Sequence, residues 1–203
     1  MTKKMLGILA LGALLLLPGL AFGSAWEFNA PSQAFTNGNW TFGNEFQTGS
    51  APVVVYSLGY YYDPNWGWVD SHDVAIYDTN GVLVVPWTNI TLGNSTLWGH
   101  FRYTAVTPMV LAPYTKYFIE GVSYSDVYTW NDPGFVVDPS IVYLGNNWVA
   151  NNGKAFNGNF LINDVADGYW GPNFNGTPEP GTFLMVGTGV LGLAGVLRRR
   201  LNL

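Results

Sequence analysis

Val53-Val54-Val55-Tyr56-Ser57-Leu58-Gly59-Tyr60-Tyr61-Tyr62 runs for ten residues without a charge, and most of its side chains are β-branched or aromatic. Residues of this kind suit a pleated, buried surface, and the run is long enough for a central strand. Its neighbours extend the pattern. Trp40 to Gln47 alternates Trp40, Phe42 and Phe46 with polar residues, and Leu97 to Thr104 alternates Leu97, Phe101 and Tyr103 with Trp98, His100 and Arg102. Val74–Tyr77 and Val82–Trp87 flank Asp78-Thr79-Asn80-Gly81. Asn-Gly between apolar runs predicts a tight hairpin, because both residues tolerate positive φ. Met109–Leu111 predicts a further strand before the Ala112-Pro113 turn, followed by Tyr117–Tyr124, with weaker candidates at Ile141–Leu144 and Phe160–Ile162.

Short strands separated by turn residues at this spacing are expected of a sandwich. No window of twelve residues between the chain ends carries apolar positions at i, i+3, i+4 and i+7, so no substantial helix is expected there. From Asn146 to Thr177 the chain turns rich in Asn and Gly, which predicts loops and edge strands. The fold class that results is all-β, an antiparallel β-sandwich of jelly-roll type.

The two ends read differently. Lys3 and Lys4 precede an apolar stretch, Met5–Leu17, that stops at Pro18 and is followed by small residues. This is the layout of a secretory signal peptide. Thirteen apolar residues are too few to cross the roughly 30 Å of a bilayer interior. Cleavage after Gly23 or after Ala25 is compatible with Ala21-Phe22-Gly23 and with Gly23-Ser24-Ala25. The expected organisation is residues 1–23 as signal peptide, 24–175 as β-sandwich domain and 176–203 as C-terminal segment.

The middle of the chain is acidic. Twelve acidic residues lie between Glu27 and Asp167 against Arg102, Lys116 and Lys154, a net charge of −9. Such a surface repels phosphate backbones, which excludes nucleic acid as the expected partner. Cysteine is absent, so no disulfide or thiol chemistry is available. About 150 residues suffice for one core without them.

At the C-terminus Pro178-Glu179-Pro180 is followed by an apolar run, Thr182–Leu197, and by Arg198-Arg199-Arg200. The prolines hold an extended, accessible peptide around Glu179. Sixteen residues make a transmembrane helix about 24 Å long, near the lower limit for crossing a membrane. The three arginines keep its end on the cytoplasmic side of the inner membrane. Together these residues resemble the PEP-CTERM sorting signal of Gram-negative bacteria, in which Pro-Glu-Pro, a hydrophobic helix and an arginine cluster are recognised by the membrane enzyme exosortase. The resemblance implies an exosortase-type processing enzyme as partner, a passing anchorage in the inner membrane, and a destination at the cell surface or in the extracellular matrix of an exopolysaccharide-producing bacterium. An ordinary single-pass anchor is the alternative.

The middle domain resembles, more loosely, the uncharacterised β-sandwich modules that often precede this signal. The shared cues are Phe42-Gly43-Asn44-Glu45-Phe46, Ser57–Asp63, His72–Asp78 and Leu111–Ile119. They carry no functional residues with them.

Candidate chemistry in the domain is sparse. His72 lies beside Ser71, Asp70 and Asp73, but neighbours on a strand point to opposite faces and do not align as a triad. No catalytic residue or cofactor is expected. Asp63, Asn65 and Asp70 surround a Pro64 to Gly67 turn and form a weak calcium candidate, though no Glu closes the loop. Tyr60, Tyr61, Tyr62, Trp66 and Trp68 cluster at one strand-loop junction and Tyr124, Tyr128 and Trp130 at another; of these Trp66, Trp68 and Trp130 are candidates for stacking on sugar rings, with Asn and Asp nearby for hydroxyls. The expected function is that of a non-enzymatic exported envelope or matrix protein that contacts exopolysaccharide. The alternatives are a secreted carbohydrate-active hydrolase, with two carboxyls about 5–10 Å apart, and a structural spacer or adhesin without a small ligand.

Overall fold

The computed structural model describes residues 23–150, 153–156 and 168–178. The signal peptide, Phe160–Ile162, Glu179, Pro180, the apolar run and the arginine cluster lie outside the described residues. Among the described residues there are fourteen strands and no helix, hence none long and apolar enough to cross a membrane. In chain order they are β1 (Gly23–Ser24), β2 (Trp26–Glu27), β3 (Trp40–Thr48), β4 (Val53–Tyr61), β5 (His72–Asp78), β6 (Leu83–Ile90) and β7 (Thr96–Trp98). There follow β8 (Phe101–Leu111), β9 (Lys116–Val122), β10 (Thr129–Trp130), β11 (Val136–Val137), β12 (Ile141–Ala150), β13 (Tyr169–Trp170) and β14 (Pro172–Pro178).

Two five-stranded sheets dominate, with the orders β1-β14-β4-β8-β7 and β12-β3-β9-β5-β6; β2 with β11 and β10 with β13 make short accessory ladders. Every pairing is antiparallel. The sheets share one core in a sandwich-like arrangement. Phe46 of β3 meets Phe174 of β14 at 5.0 Å, and Tyr60 of β4 stacks on His72 of β5 at 4.0 Å. Trp26 is wholly buried, with Tyr143, Trp170, Phe174 and Phe46 around it at 5.9–6.5 Å. Aromatic side chains bury roughly 150–250 Å² apiece, which is how a core without disulfides gains its driving force.

β4 is the central strand that its composition predicts. Tyr60 and Tyr61 leave it on opposite faces, yet both are buried: Tyr60 faces His72, while Tyr61 packs against Phe28 and Phe101. Gly59 has a specific use here, because the Tyr103 ring lies where a Cβ would stand, 2.5 Å from it.

Several local expectations are corrected. Leu97–Thr104 is not one strand but a hairpin, with Trp98 opposite Phe101 across Gly99 and His100. Gly99 has φ 58° and His100 does not follow it into positive φ, the pattern of a turn with glycine first. At Asp78–Val82 only Gly81 takes positive φ, 78°, whereas Asn80 does not. The Asp78 carboxylate explains the difference, because its Oδ1 accepts from the amides of Asn80 at 2.9 Å and Val82 at 2.8 Å. Met109–Leu111 is the end of the eleven-residue β8, whose Pro108 lies where the register with β4 slips. A bulge tolerates the missing donor. The expected edge strand is present at Asn146 to Ala150, which continue β12, whereas Pro172–Pro178 lies inside the sheet, between β1 and β4.

The sandwich has two distinct ends. At one, Val53 pairs with both Leu111 and Pro178, and the turns at 49–52, 112–115 and 138–140 meet. At the other, Tyr61 pairs with Phe101, and the connections 28–39, 62–71, 99–100 and 123–128 gather. Nine residues of β4 separate them, about 26 Å at 3.3 Å per residue.

Candidate functional site: a groove at the loop end

An open groove of about 380 Å³ lies at the loop end, lined by Thr36, Gly38, Asn39, Asp70, Tyr124 and Ser125. Its volume is within the usual range for small-ligand sites. One wall is the segment before β3. Asn37 Oδ1 accepts from the Trp40 indole at 3.1 Å and from the Tyr128 hydroxyl at 2.7 Å, and the Ser123 hydroxyl accepts from the Trp40 amide at 2.9 Å. These bonds fix the wall before any ligand arrives.

The opposite wall is Asp70 and the turn after β9. Tyr124 has φ 49°, a left-handed conformation uncommon for a bulky residue. Its hydroxyl donates to Asp73 Oδ2 at 2.7 Å, and Asp73 also receives Lys154 Nζ at 2.8 Å and Asn89 Nδ2 at 3.2 Å. Burial, followed by donation to Asp73 and the nearby Asp70 charge, pushes the Tyr124 phenol up to about 12. Asp70 Oδ2 accepts from the amide of Ser125 at 3.1 Å and from its hydroxyl.

Beneath the groove His72 is fully buried. Its Nδ1 is 2.9 Å from the Val122 carbonyl and its Nε2 is 3.2 Å from Asp126 Oδ2. Asp126 also accepts from the amides of Val69 at 2.7 Å and Asp70 at 2.8 Å, so one carboxylate ties its own 123–128 connection to β5 and to the 62–71 connection. Burial raises the Asp126 pKa, but His72 and the two amides outweigh it and hold the carboxyl below its ordinary range. Ser71 lies apart from the imidazole contacts, taking a bond from Asn89 at 3.0 Å.

The three candidate tryptophans occupy different settings. Trp66 stands in the turn after β4 with 64 % of its surface exposed. Trp68 is half-buried, donates to the Tyr61 carbonyl at 2.9 Å, and lies edge-on to Tyr60, Tyr62 and His72. Trp130 is half-buried on β10, opposite Tyr169 of β13. Trp66 thus offers an open ring face, whereas Trp68 braces the loop. Asp63, from the calcium candidate, accepts from the Asn65 amide at 2.8 Å through Oδ1, while Asp70 faces Ser125. Among the described residues no three His, Asp or Glu side chains gather as a metal centre.

The arrangement offers one tyrosine, one carboxylate, one side-chain amide and two aliphatic hydroxyls on a stiff frame. That set suits a neutral polyhydroxylated ring better than an anion, since no basic side chain lines it. Sequence reasoning noted Tyr124 only as one of an aromatic group and missed Asn39, Thr36, Ser125 and Asp126 as site residues. Nothing local marks them, because β9 and the segment before β3 are brought together only by sheet pairing.

Residues 177–200 match the PEP-CTERM protein-sorting motif. The match covers this segment alone, and a motif of this kind implies export and sorting by exosortase, a membrane enzyme. The matched segment starts inside the fold: Thr177 pairs with Val54 and Pro178 with Val53. Comparison with curated proteins yields no match.

Proposed function

We propose that the protein is a non-enzymatic component of the cell envelope or extracellular matrix that binds exopolysaccharide in the loop-end groove. The observation that carries this reading is the groove itself, with Tyr124, Asp70 and Asn39 on walls stiffened by Asn37 and Asp73. The exposed Trp66 ring on the adjoining 62–71 connection extends the surface. The sorting motif supplies the setting, since a surface protein meets polysaccharide as its most abundant neighbour. The fold suits the task. We take the succession of antiparallel pairs β1 with β14, β3 with β9, β4 with β8 and β5 with β6 to be jelly-roll winding, which leaves long loops free at one end.

The test is electrophoresis through gels that contain the producer's polysaccharide. The protein is retarded, and Asn39→Ala and Trp66→Ala each migrate faster than wild type while melting at the same temperature. Free migration across a broad glycan panel, with unchanged tryptophan fluorescence, overturns the binding role.

A further inference from the structure

We infer that, while the C-terminal tail holds the protein, the turn bearing Tyr114 rests in the lipid headgroup layer and the groove faces away from the membrane. This rests on the tail crossing the membrane, as the sorting motif implies, and adds the orientation of the domain.

Three observations converge. The first is where the chain leaves the fold. Among the described residues Pro178 is the last that is paired, opposite Val53, and only Glu179, Pro180 and Gly181 separate it from the apolar run that begins at Thr182. The four steps from Pro178 to Thr182 reach at most about 14 Å. The Val53 end of the sandwich is thereby confined to the membrane surface.

The second observation concerns the other hydrophobic segment. β1 pairs with β14 through Gly23 opposite Gly176 and Ser24 opposite Asn175. The signal peptide ends at this same end of the same sheet. Two membrane-seeking segments of one precursor, from opposite ends of the chain, meet the fold side by side.

The third is what that end displays. Tyr114 is 69 % exposed at φ 51°, in a turn held by its amide donating to the Gly49 carbonyl at 2.9 Å. Pro113 precedes it, and Val110 on the neighbouring end of β8 is 52 % exposed. The nearby charges are engaged: Lys116 pairs with Glu45 at 3.1 Å, and Asp138 bonds the Ser140 amide at 2.8 Å and hydroxyl at 2.5 Å. A ring with an apolar body and a polar tip is the side chain favoured at the membrane–water interface. The groove, at the far end of β4, then stands about 26 Å further out.

The chain contains no cysteine, so single-cysteine labelling reports one site at a time. The full 203-residue chain is reconstituted into phosphatidylethanolamine–phosphatidylglycerol vesicles with an environment-sensitive dye at Tyr114→Cys, Ser50→Cys, Asn65→Cys or Val190→Cys. Nitroxide lipids carry the quencher in the headgroup or deep in the acyl chain. Deep quenching at Val190→Cys, midway along the apolar run, reports tail insertion. Headgroup quenching several-fold stronger at Tyr114→Cys and Ser50→Cys than at Asn65→Cys is the expected result. Should Val190→Cys be quenched while the other three positions respond alike, the orientation is wrong and the tail reading survives. No quenching at Val190→Cys removes both.

Discussion

Asp126 Oδ2 lies 3.2 Å from His72 Nε2 in a region closed to solvent, and the other imidazole nitrogen faces the Val122 carbonyl at 2.9 Å. With both ring nitrogens against acceptors, the carboxylate and the imidazole hold each other in place. Asp126→Ala leaves the Val69 and Asp70 amides without their acceptor and removes the carboxylate that faces His72. Leaving donors of this kind without an acceptor costs about 1–3 kcal/mol. Urea denaturation measures it, and an unchanged midpoint would show that the contact carries no stability.

Acid separates two kinds of carboxylate. For Asp73, burial raises the pKa, but Lys154, then Tyr124 and Asn89, overcome it, and the net shift is downward, as it is for Asp126. Such groups stabilise the fold above the unfolded value of about 3.9, and that contribution is lost as pH falls through their lower folded values. Asp132 is shifted upward, chiefly by burial, against the bonds from Ser32 and Thr129. Its charged form therefore opposes folding at neutral pH, and its share of stability rises as pH falls through the raised value. Asp132→Asn keeps an acceptor for both partners. It should melt at or above the wild-type temperature at neutral pH and lose that advantage in acid; a lower neutral melting temperature refutes the assignment.

Gly59→Ala places a methyl group 2.5 Å from the Tyr103 ring, which is itself buried and bonded to Ser24 Oγ at 2.7 Å. Overpacking of this kind costs about 1–3 kcal/mol. Combined with Tyr103→Leu, the added methyl should cost clearly less, because the obstruction has gone. Thermal melts of the two single variants and the double variant measure the coupling, and strict additivity would count against the clash.

The two candidate signal-peptide cuts differ in what they leave behind. A chain starting at Ser24 keeps the Ser24–Tyr103 bond, the Ala25 amide on the Phe174 carbonyl at 2.9 Å and the Asp138 amide on the Ala25 carbonyl at 2.9 Å. A chain starting at Trp26 loses all three, each of which contributes about 1 kcal/mol. N-terminal sequencing of the exported protein should therefore find Ser24. The form beginning at Trp26, made deliberately, should melt several degrees lower, and equal melting temperatures would remove the structural preference.

Much of the fold was legible in the sequence because β4, β3 and β5 carry their signal in composition and alternation. The hairpin at Gly99 was not. Leu97, Phe101 and Tyr103 keep an unbroken period of two through the turn, so the chain reverses where the pattern alone says it continues. β14 was hidden for the opposite reason: Asn173, Gly176 and Pro178 look like linker, and only pairing with β4 makes them strand. Of the candidate site, Trp66 was readable as an exposed aromatic beside a turn. The meeting of Tyr124 with Asn39 was not, since they are far apart along the chain and become neighbours only through the β3–β9 ladder. His72 was noticed for the wrong company; its partner is Asp126 rather than the adjacent acids.

The tail departs from β14 at the edge of a seven-residue ladder with β4, and the groove lies at the opposite pole. Any tension between captured polymer and anchor would run along the strand axes. The ladder is then loaded in shear, its bonds sharing the force together instead of unzipping singly, so the same geometry that orients the domain also makes it a mechanical coupling.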